Sequence, residues 1–425
     1  MTLTAAPWEL DAVRMATELV DALDSKGVLH PDWRSAFRAV PRHLFVPDVI
    51  WLDSKDDDTV HPLHRDEQPS EWLTRVYADE PVVIQVNDGA TAIGSAGHVS
   101  YTSSTSMPTV VAKMLTALRA DSGMRVLEIG TGTGWNTALL AHRLGGNNIT
   151  SMEIDPAISA HARSALEAAG FSAVAVITGD GTLGRPDRAP YDRVLSTAAV
   201  YRVPHAWIAQ TRPGGLVVTP WATDYLNGHL LALTVSGDGT ATGRIVGQTA
   251  FMTVRDQRVP PIRISDIVTD DSEAQANEQT SNRHPRWYVA DYDTRTAIGV
   301  QVDYCRMRYT GPDSDDADGI LWFLDPWSGS WAAVHHRPSR PGPFRVRQYG
   351  PRRLFDEVST AYQIWKHAGK PPASRWRITV TPHGQDTELP TDTPSRDQPR
   401  HRVQPVTPAR PDRTGRSAGT TAPPP

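Results

Sequence analysis

Val126-Leu127-Glu128-Ile129-Gly130-Thr131-Gly132-Thr133-Gly134-Trp135-Asn136 is the stretch that decides how this chain folds. An apolar run leads into three alternating glycines, and a helical pattern begins directly after them. Glycine lets a backbone approach a ligand closely and adopts φ angles that side chains resist. In doubly wound folds, the loop at the C-terminal end of the first strand is where ligands bind. The dinucleotide fingerprint G-x-G-x-x-G does not fit. The third glycine comes one residue early, and Trp135 stands where that fingerprint needs glycine.

The surroundings carry the same rhythm outward. Strands are expected at residues 125–129, 149–154, 174–178, 193–196, 216–219 and 230–235, and helices at 136–144, 156–169 and 204–210. This alternation predicts an α/β fold with a doubly wound, mostly parallel, Rossmann-like sheet. Before it, Leu10, Val13, Ala16, Leu19, Val20 and Leu23 recur at helical spacing, as do Trp33, Ala36, Phe37 and Val40. Residues 53–75 and 87–105 are expected to loop, with a short strand at 82–86. Ser106 before Pro108 is the expected N-cap of a further helix.

After about Phe251 the rhythm changes. Ile298, Val300 and Val302 alternate as an antiparallel strand should, and strands are expected at 320–324, 330–334, 344–348 and 376–381, with a helix at 352–367. The chain therefore divides into N-terminal helices and substrate loops (1–122), a central α/β domain (123–250), a smaller C-terminal α+β domain (251–384) and a tail (385–425). The tail is rich in Pro, Thr, Arg and Asp and is expected to be disordered.

Acid-x-Gly-x-Gly-x-Gly, with Glu128 as the acid, is the pattern of enzymes that bind S-adenosylmethionine. Their ligand has no pyrophosphate, and an acidic residue near its α-amino group is favourable. The second strand ends at Glu153, followed by Ile154, where a carboxylate can accept from two ribose hydroxyls. The third ends at Gly179-Asp180-Gly181, an aspartate suited to an adenine amine. The expected cofactor-binding set is Glu128, Gly130, Thr131, Gly132, Thr133, Gly134, Asn136, Glu153, Ile154, Gly179, Asp180, Gly181 and Thr197. A glycine turn alone is often only a turn, and a strand-end glutamate is often only surface. Three such features in order on consecutive strands favour the nucleoside site.

With these motifs in hand, the chain resembles the protein-L-isoaspartate O-methyltransferase family over about residues 33–235. The resemblance rests on Val40-Pro41-Arg42-His43-Leu44-Phe45-Val46-Pro47, Tyr77-Ala78-Asp79, Gly179-Asp180-Gly181-Thr182-Leu183-Gly184, Ala189-Pro190-Tyr191-Asp192-Arg193 and Arg212-Pro213-Gly214-Gly215. It implies methylation of a carboxylate on a peptide or protein, with S-adenosylmethionine as cofactor. The family's Thr-Ile-Ser-x-Pro loop matches Ser104-Thr105-Ser106-Met107-Pro108, so Ser106 inherits the carboxylate-orienting hydroxyl, with Thr105 and Ser104 beside it. The glutamine usual before that loop is Ser103 here. The added C-terminal region resembles a longer bacterial subgroup that matures ribosomal peptides such as graspetides, lanthipeptides and lasso peptides. There the methyl ester of an aspartate is attacked by the next backbone amide to give aspartimide and, after hydrolysis, isoaspartate.

Three readings follow: tailoring of a cyclised precursor peptide, repair of isoaspartyl damage in proteins, and a non-catalytic peptide-binding protein that keeps the fold. The chemistry needs no base or metal, because an Asp carboxylate with a pKa of about 3.9 is already ionised at pH 7. His61 and His64 flank Pro62, which argues against a metal pair on a helix face. Asp316, Asp318 and Asp325 echo a calcium loop, but Ser314 holds its first ligand position. A net charge of -5 argues against a whole-surface nucleic-acid binder. One cysteine, Cys305, allows no intramolecular disulfide. Glu9, Asp11 and Glu18 do not suit a signal peptide, and no apolar run approaches the roughly 18 residues that span a bilayer. A cytoplasmic enzyme with no membrane partner is expected.

Overall fold

The computed structural model describes residues 7–54, 59–90, 99–311, 318–336 and 342–389. The N-terminal part runs α1 (Pro7–Ser25), α2 (Pro31–Ala39), β1 (Val49–Asp53), β2 (Val60–His64), α3 (Pro69–Tyr77), β3 (Val82–Val86), β4 (Tyr101–Thr105) and α4 (Pro108–Leu118). Its strands form an antiparallel sheet in the order β2-β1-β3-β4. Residues 53–75, expected to loop, contain β2 and most of α3, whose Trp72, Leu73, Val76 and Tyr77 are buried. The second expected loop contains β4, and residues 91–98 lie outside the described residues.

The central part supplies β5 (Val126–Ile129), α5 (Trp135–Leu144), β6 (Ile149–Glu153), α6 (Pro156–Ala168), β7 (Ala175–Thr178), β8 (Tyr191–Ser196), α7 (His205–Ala209), β9 (Thr211–Ala222), β10 (Asn227–Val235) and β11 (Ala241–Gln248). Strand β5 pairs in parallel with both β6 and β8, β6 with β7, and β8 with β9. The chain runs outward from β5 to β7, then returns to β8 on the other side of β5. That reversal opens a crevice at the C-terminal ends of β5 and β8, where such sheets bind ligands. Both β5 and β6 are buried along their whole length, as central parallel strands are. Asp155 starts α6 as its N-cap, accepting from the amides of Ala157 and Ile158, with Pro156 in the first turn.

The remaining elements are α8 (Asp270–Ala274), β12 (Asn277–Ser281), α9 (Tyr292–Gly299), β13 (Arg306–Thr310), β14 (Gly319–Asp325), β15 (Ser330–His336), β16 (Phe344–Tyr349), α10 (Leu354–His367), β17 (Arg377–Thr381) and β18 (Gly384–Glu388). Strands β12 to β16 make an antiparallel sheet in the order β12-β16-β15-β14-β13, while β17 and β18 extend the large sheet beyond β11. Residues 1–390 form one compact unit. The alternation at 298–302 is not a strand. Asp291 caps α9 by accepting from the Thr294 amide at 2.7 Å, and Ile298 lies in that helix. A short window cannot separate a period of two from one of 3.6. The expected tail begins too early, since Gln385 to Glu388 pair with β17. Residues 390–425 lie outside the described residues.

Ser106 is not the cap of α4. Met107 holds that place and makes no side-chain cap bond. Asp79 does the work from a distance, accepting from the Thr109 amide at 2.8 Å and the Thr109 hydroxyl at 2.6 Å. At the other end of α4, Arg193 donates to the carbonyls of Leu118 and Arg119. The Tyr-Ala-Asp and Tyr-Asp-Arg motifs therefore hold the two ends of one helix.

Arg42 joins these parts. Its guanidinium is 1% exposed and donates to five carbonyls: Val76, Ala78, Glu80, Thr105 and Ser106. It also lies 5.3 Å from the ring centroid of Trp135, whose indole donates to the Val40 carbonyl at 3.0 Å. Burial pushes the Arg42 pKa down to about 9, and arginine stays charged at neutral pH regardless. Replacing it removes the donors from five buried or half-buried acceptors. Arg42→Met is expected to cost about 3 kcal/mol in chemical denaturation. A loss below about 0.5 kcal/mol, the scale of ordinary surface changes, would contradict this role.

Candidate active site

The glycine turn sits at the end of β5 with three backbone conformations reserved for glycine. Gly130, Gly132 and Gly134 have φ of 87°, 56° and 88°. At Gly130 the space is closed as well, because a Cβ would stand 2.7 Å from the Thr197 hydroxyl. Thr197, just past β8, donates that hydroxyl to the Gly130 carbonyl at 2.5 Å and pins the turn across the crevice.

Under the turn lies a buried polar knot. Glu128 is fully buried and accepts from Asn136 at 2.6 Å, Thr137 at 2.5 Å and Ser151 at 2.6 Å. Thr131 shares a hydrogen bond with Ser151 at 2.7 Å. Thr133 is buried and accepts from the Trp135 amide at 3.4 Å. Burial raises the Glu128 carboxyl above the ordinary range, against the pull of its three donors, while the charge of Glu153 raises it further. Glu128, expected to face a ligand, is instead enclosed by these three donors with no exposed surface. Asn136 spends its amide on Glu128, and the pair braces the turn from below.

Glu153 faces the turn instead. One carboxylate oxygen accepts from the Gly132 amide at 2.9 Å, the other from the Asp155 amide at 3.1 Å. The Gly179 amide donates to the Glu153 carbonyl at 2.8 Å, so the ends of β5, β6 and β7 meet. Asp180 accepts from the amide and hydroxyl of Thr182 through one oxygen. Gly181 is packed so closely on Ile129 that a Cβ would stand 2.6 Å from its methyl, and Trp207 donates to the Gly181 carbonyl at 2.9 Å. Ile154 is 36% exposed beside them.

The acceptor loop reaches the same place. The Ser104 carbonyl lies 3.8 Å from where a Cβ on Gly132 would stand. Arg42 holds the Thr105 and Ser106 carbonyls at 3.2 and 2.9 Å. Thr105 is 3% exposed, so its hydroxyl is turned inward, contrary to a part in contacting substrate. Ser104 and Ser106 stay half-buried on either side of it. The arrangement is a glycine cradle with a carboxylate at its rim, a second carboxylate one strand further, and two serines above.

A family model described as Protein-L-isoaspartate(D-aspartate) O-methyltransferase (PCMT) matches residues 63–259. A protein-L-isoaspartate O-methyltransferase of Pyrococcus abyssi is 30% identical over 234 residues, which cover 55% of this chain and 91% of that protein. One of Thermococcus onnurineus is 34% identical over 235 residues, covering 55% of this chain and 90% of that protein. The chain belongs to the protein-L-isoaspartate O-methyltransferase family. PCMT enzymes are S-adenosylmethionine-dependent carboxyl methyltransferases. A solved protein-L-isoaspartate O-methyltransferase is 21% identical, covers 88% of this chain and 99% of its own, and superposes with a TM-score of 0.47.

The cradle fits the cofactor of the PCMT family. At Gly132 the Cβ position is open, with the Ser104 carbonyl 3.8 Å away, and Glu153 and Asp180 stand at the ends of adjacent strands with acceptor oxygens. Sequence reasoning missed four residues that matter to this geometry. Arg42 stands in the Val-Pro-Arg-His motif, but its five carbonyls come from two distant stretches, residues 76–80 and 105–106. Thr137 and Ser151 complete the knot around Glu128, one turn and one strand away. Asp155 had a visible signal, an aspartate directly before proline at a helix start.

Burial raises the Glu153 carboxyl, the neighbouring Asp155 charge adds to this, and the Gly132 and Asp155 amides pull the other way. Only its charged form accepts from both amides. Cofactor affinity is therefore expected to fall as pH drops through a midpoint above the usual glutamate value of about 4.3. Titration calorimetry with S-adenosylhomocysteine checks this. Glu153→Gln should bind more weakly and lose that acid-side titration, whereas a variant with wild-type affinity and pH profile would contradict it.

Proposed function

We propose that this protein transfers a methyl group to an aspartyl side-chain carboxylate in a modified ribosomal precursor peptide. The observation that carries the reading is the approach of the Ser104 carbonyl to the glycine turn, 3.8 Å from where a Cβ on Gly132 would stand, which supports a serine loop beside the cofactor crevice. S-adenosylmethionine, when bound, supplies a methyl group on an activated leaving group. Glu153 is proposed to accept from the ribose hydroxyls and Asp180 from the adenine amine. Ser106 is proposed to orient the acceptor carboxylate, with Ser104 beside it. No base is required, because the acceptor is ionised at neutral pH. The chain's part is alignment and exclusion of water. Alignment can lower a barrier by roughly 7–11 kcal/mol in favourable cases, and shedding water from the carboxylate strengthens its contacts.

The methylated aspartate would then cyclise to aspartimide and open to isoaspartate. Support for a dedicated peptide substrate comes from the regions beyond the family match. The sheet β12–β16 and helix α10 follow residue 259 and add surface that substrate selection could use. Repair of isoaspartyl proteins is the second reading, favoured by the 90% or more of each archaeal relative that this chain spans. Mass spectrometry separates the two. Incubation with a cyclised precursor and S-adenosylmethionine should add a methyl group or, after loss of methanol, remove one water. Rapid turnover of a short isoaspartyl peptide with no change in the precursor would favour repair. In either reading Ser106→Ala is expected to lower turnover about 100-fold while cofactor affinity stays near wild type. Undiminished turnover would remove Ser106 from the site.

A further inference from the structure

The hairpin that carries Ser104 is tied down at its far end by an ionic cluster that the methyl-transfer chemistry does not use. Asp88 follows β3, and its carboxylate receives Arg258 at 2.8 Å on each oxygen and Arg255 at 3.0 Å. The same Arg255 nitrogen stands 3.6 Å from Asp155. Asp155 also accepts from Gln85 of β3 at 3.0 Å, and Gln85 accepts from Thr102 of β4 at 2.9 Å. Thr102 in turn accepts from the Asp88 amide at 3.0 Å. One network therefore runs from both strands of the hairpin to the residue whose amide holds Glu153.

The two arginines stand on a fixed base. Their segment follows β11 and is bonded to the loop after β8 through Val254 to Ala199 and Ala199 to Met252. Gln257, between the arginines, accepts from the amides of Tyr201 and Arg202 at 2.8 and 3.0 Å. The hairpin end is held in a costly shape, since Asn87 and Asp88 have φ of 48° and 53°. Left-handed backbone at non-glycine residues persists only where contacts enforce it.

We propose that Arg255 and Arg258 are positioning residues that latch the β3–β4 hairpin, through Asp88, over the nucleoside end of the cofactor crevice, and so set how fast the spent cofactor leaves. The proposal rests on the assignment of Glu153 to the cofactor's ribose. The latch is half exposed, with Asp88 at 43% and the arginines at 35% and 31%, so salt should weaken it.

The test measures release of S-adenosylhomocysteine by stopped flow, at low and high salt, in the full chain. Asp88→Asn keeps a residue that tolerates the left-handed conformation and removes the charge and one of the two acceptor oxygens. It is expected to release the product about tenfold faster at low salt, with the gap closing as salt rises. Arg258→Gln should behave alike, Arg258→Lys should lie between, and the double variant should be no faster than either single one. At saturating cofactor, the KM for peptide should move less than the release rate. Additive effects, or release rates equal to wild type at every salt concentration, would overturn the latch while leaving the crevice intact. A wild-type protein that binds no S-adenosylhomocysteine would overturn the cofactor assignment, and the latch with it.

Discussion

A buried guanidinium with five carbonyl acceptors is the constraint on which the rest of this molecule depends. Arg42 gathers the end of α3, the segment before β3 and the serine loop around one cation, and it stacks on the tryptophan that opens α5. No single partner explains its place. The two terminal nitrogens of its planar fork serve all five acceptors, a reach that other side chains lack. Because α5 starts from the glycine turn, the same contact that fixes Ser106 also fixes the helix above the cofactor crevice. The serine loop and the glycine turn are thereby registered to each other.

The turn is braced from both sides by carboxylates that sequence reading treated alike. Glu128 and Glu153 both lie beside the glycine turn and both are raised by burial. Glu128 is enclosed by Asn136, Thr137 and Ser151 and ties the start of α5 to β6 beneath the turn. Glu153 reaches Gly132 from the rim. One acid of the motif is thus enclosed by side-chain donors and the other holds backbone amides at the rim, and only the packing around each tells them apart.

Much of the α/β core was legible because parallel strands buried on both faces read as apolar runs, and glycine turns and capping residues punctuate them. The strand at 149–154, the helix at 156–169 and the turn between β5 and α5 follow from such local signals. What could not be read depends on distant partners. Ile298 and Val300 alternate over too few residues to reveal a helix. Ser106 carries a capping residue's side chain, yet Asp79 from another segment does the capping. The strand Gly384–Glu388 is polar and reads as tail, and it is ordered by pairing with β17 and by hydrogen bonds that link Gln385 to Val203 and Thr387 to Val300. Thr105 lies between two half-buried serines, and only the register of β4 against β3 shows that its hydroxyl points inward.

The C-terminal elements extend this logic. By adding β17 and β18 to the edge of the large sheet, the chain anchors its extra antiparallel sheet to the same framework that holds the crevice. The most direct measurement of the whole account is a crystal structure with S-adenosylhomocysteine. The account predicts the ribose on Glu153, the adenine beside Asp180 and the sulfur directed at Ser104 and Ser106. A nucleoside bound away from the glycine turn, or with its sulfur facing away from the serine loop, would contradict it.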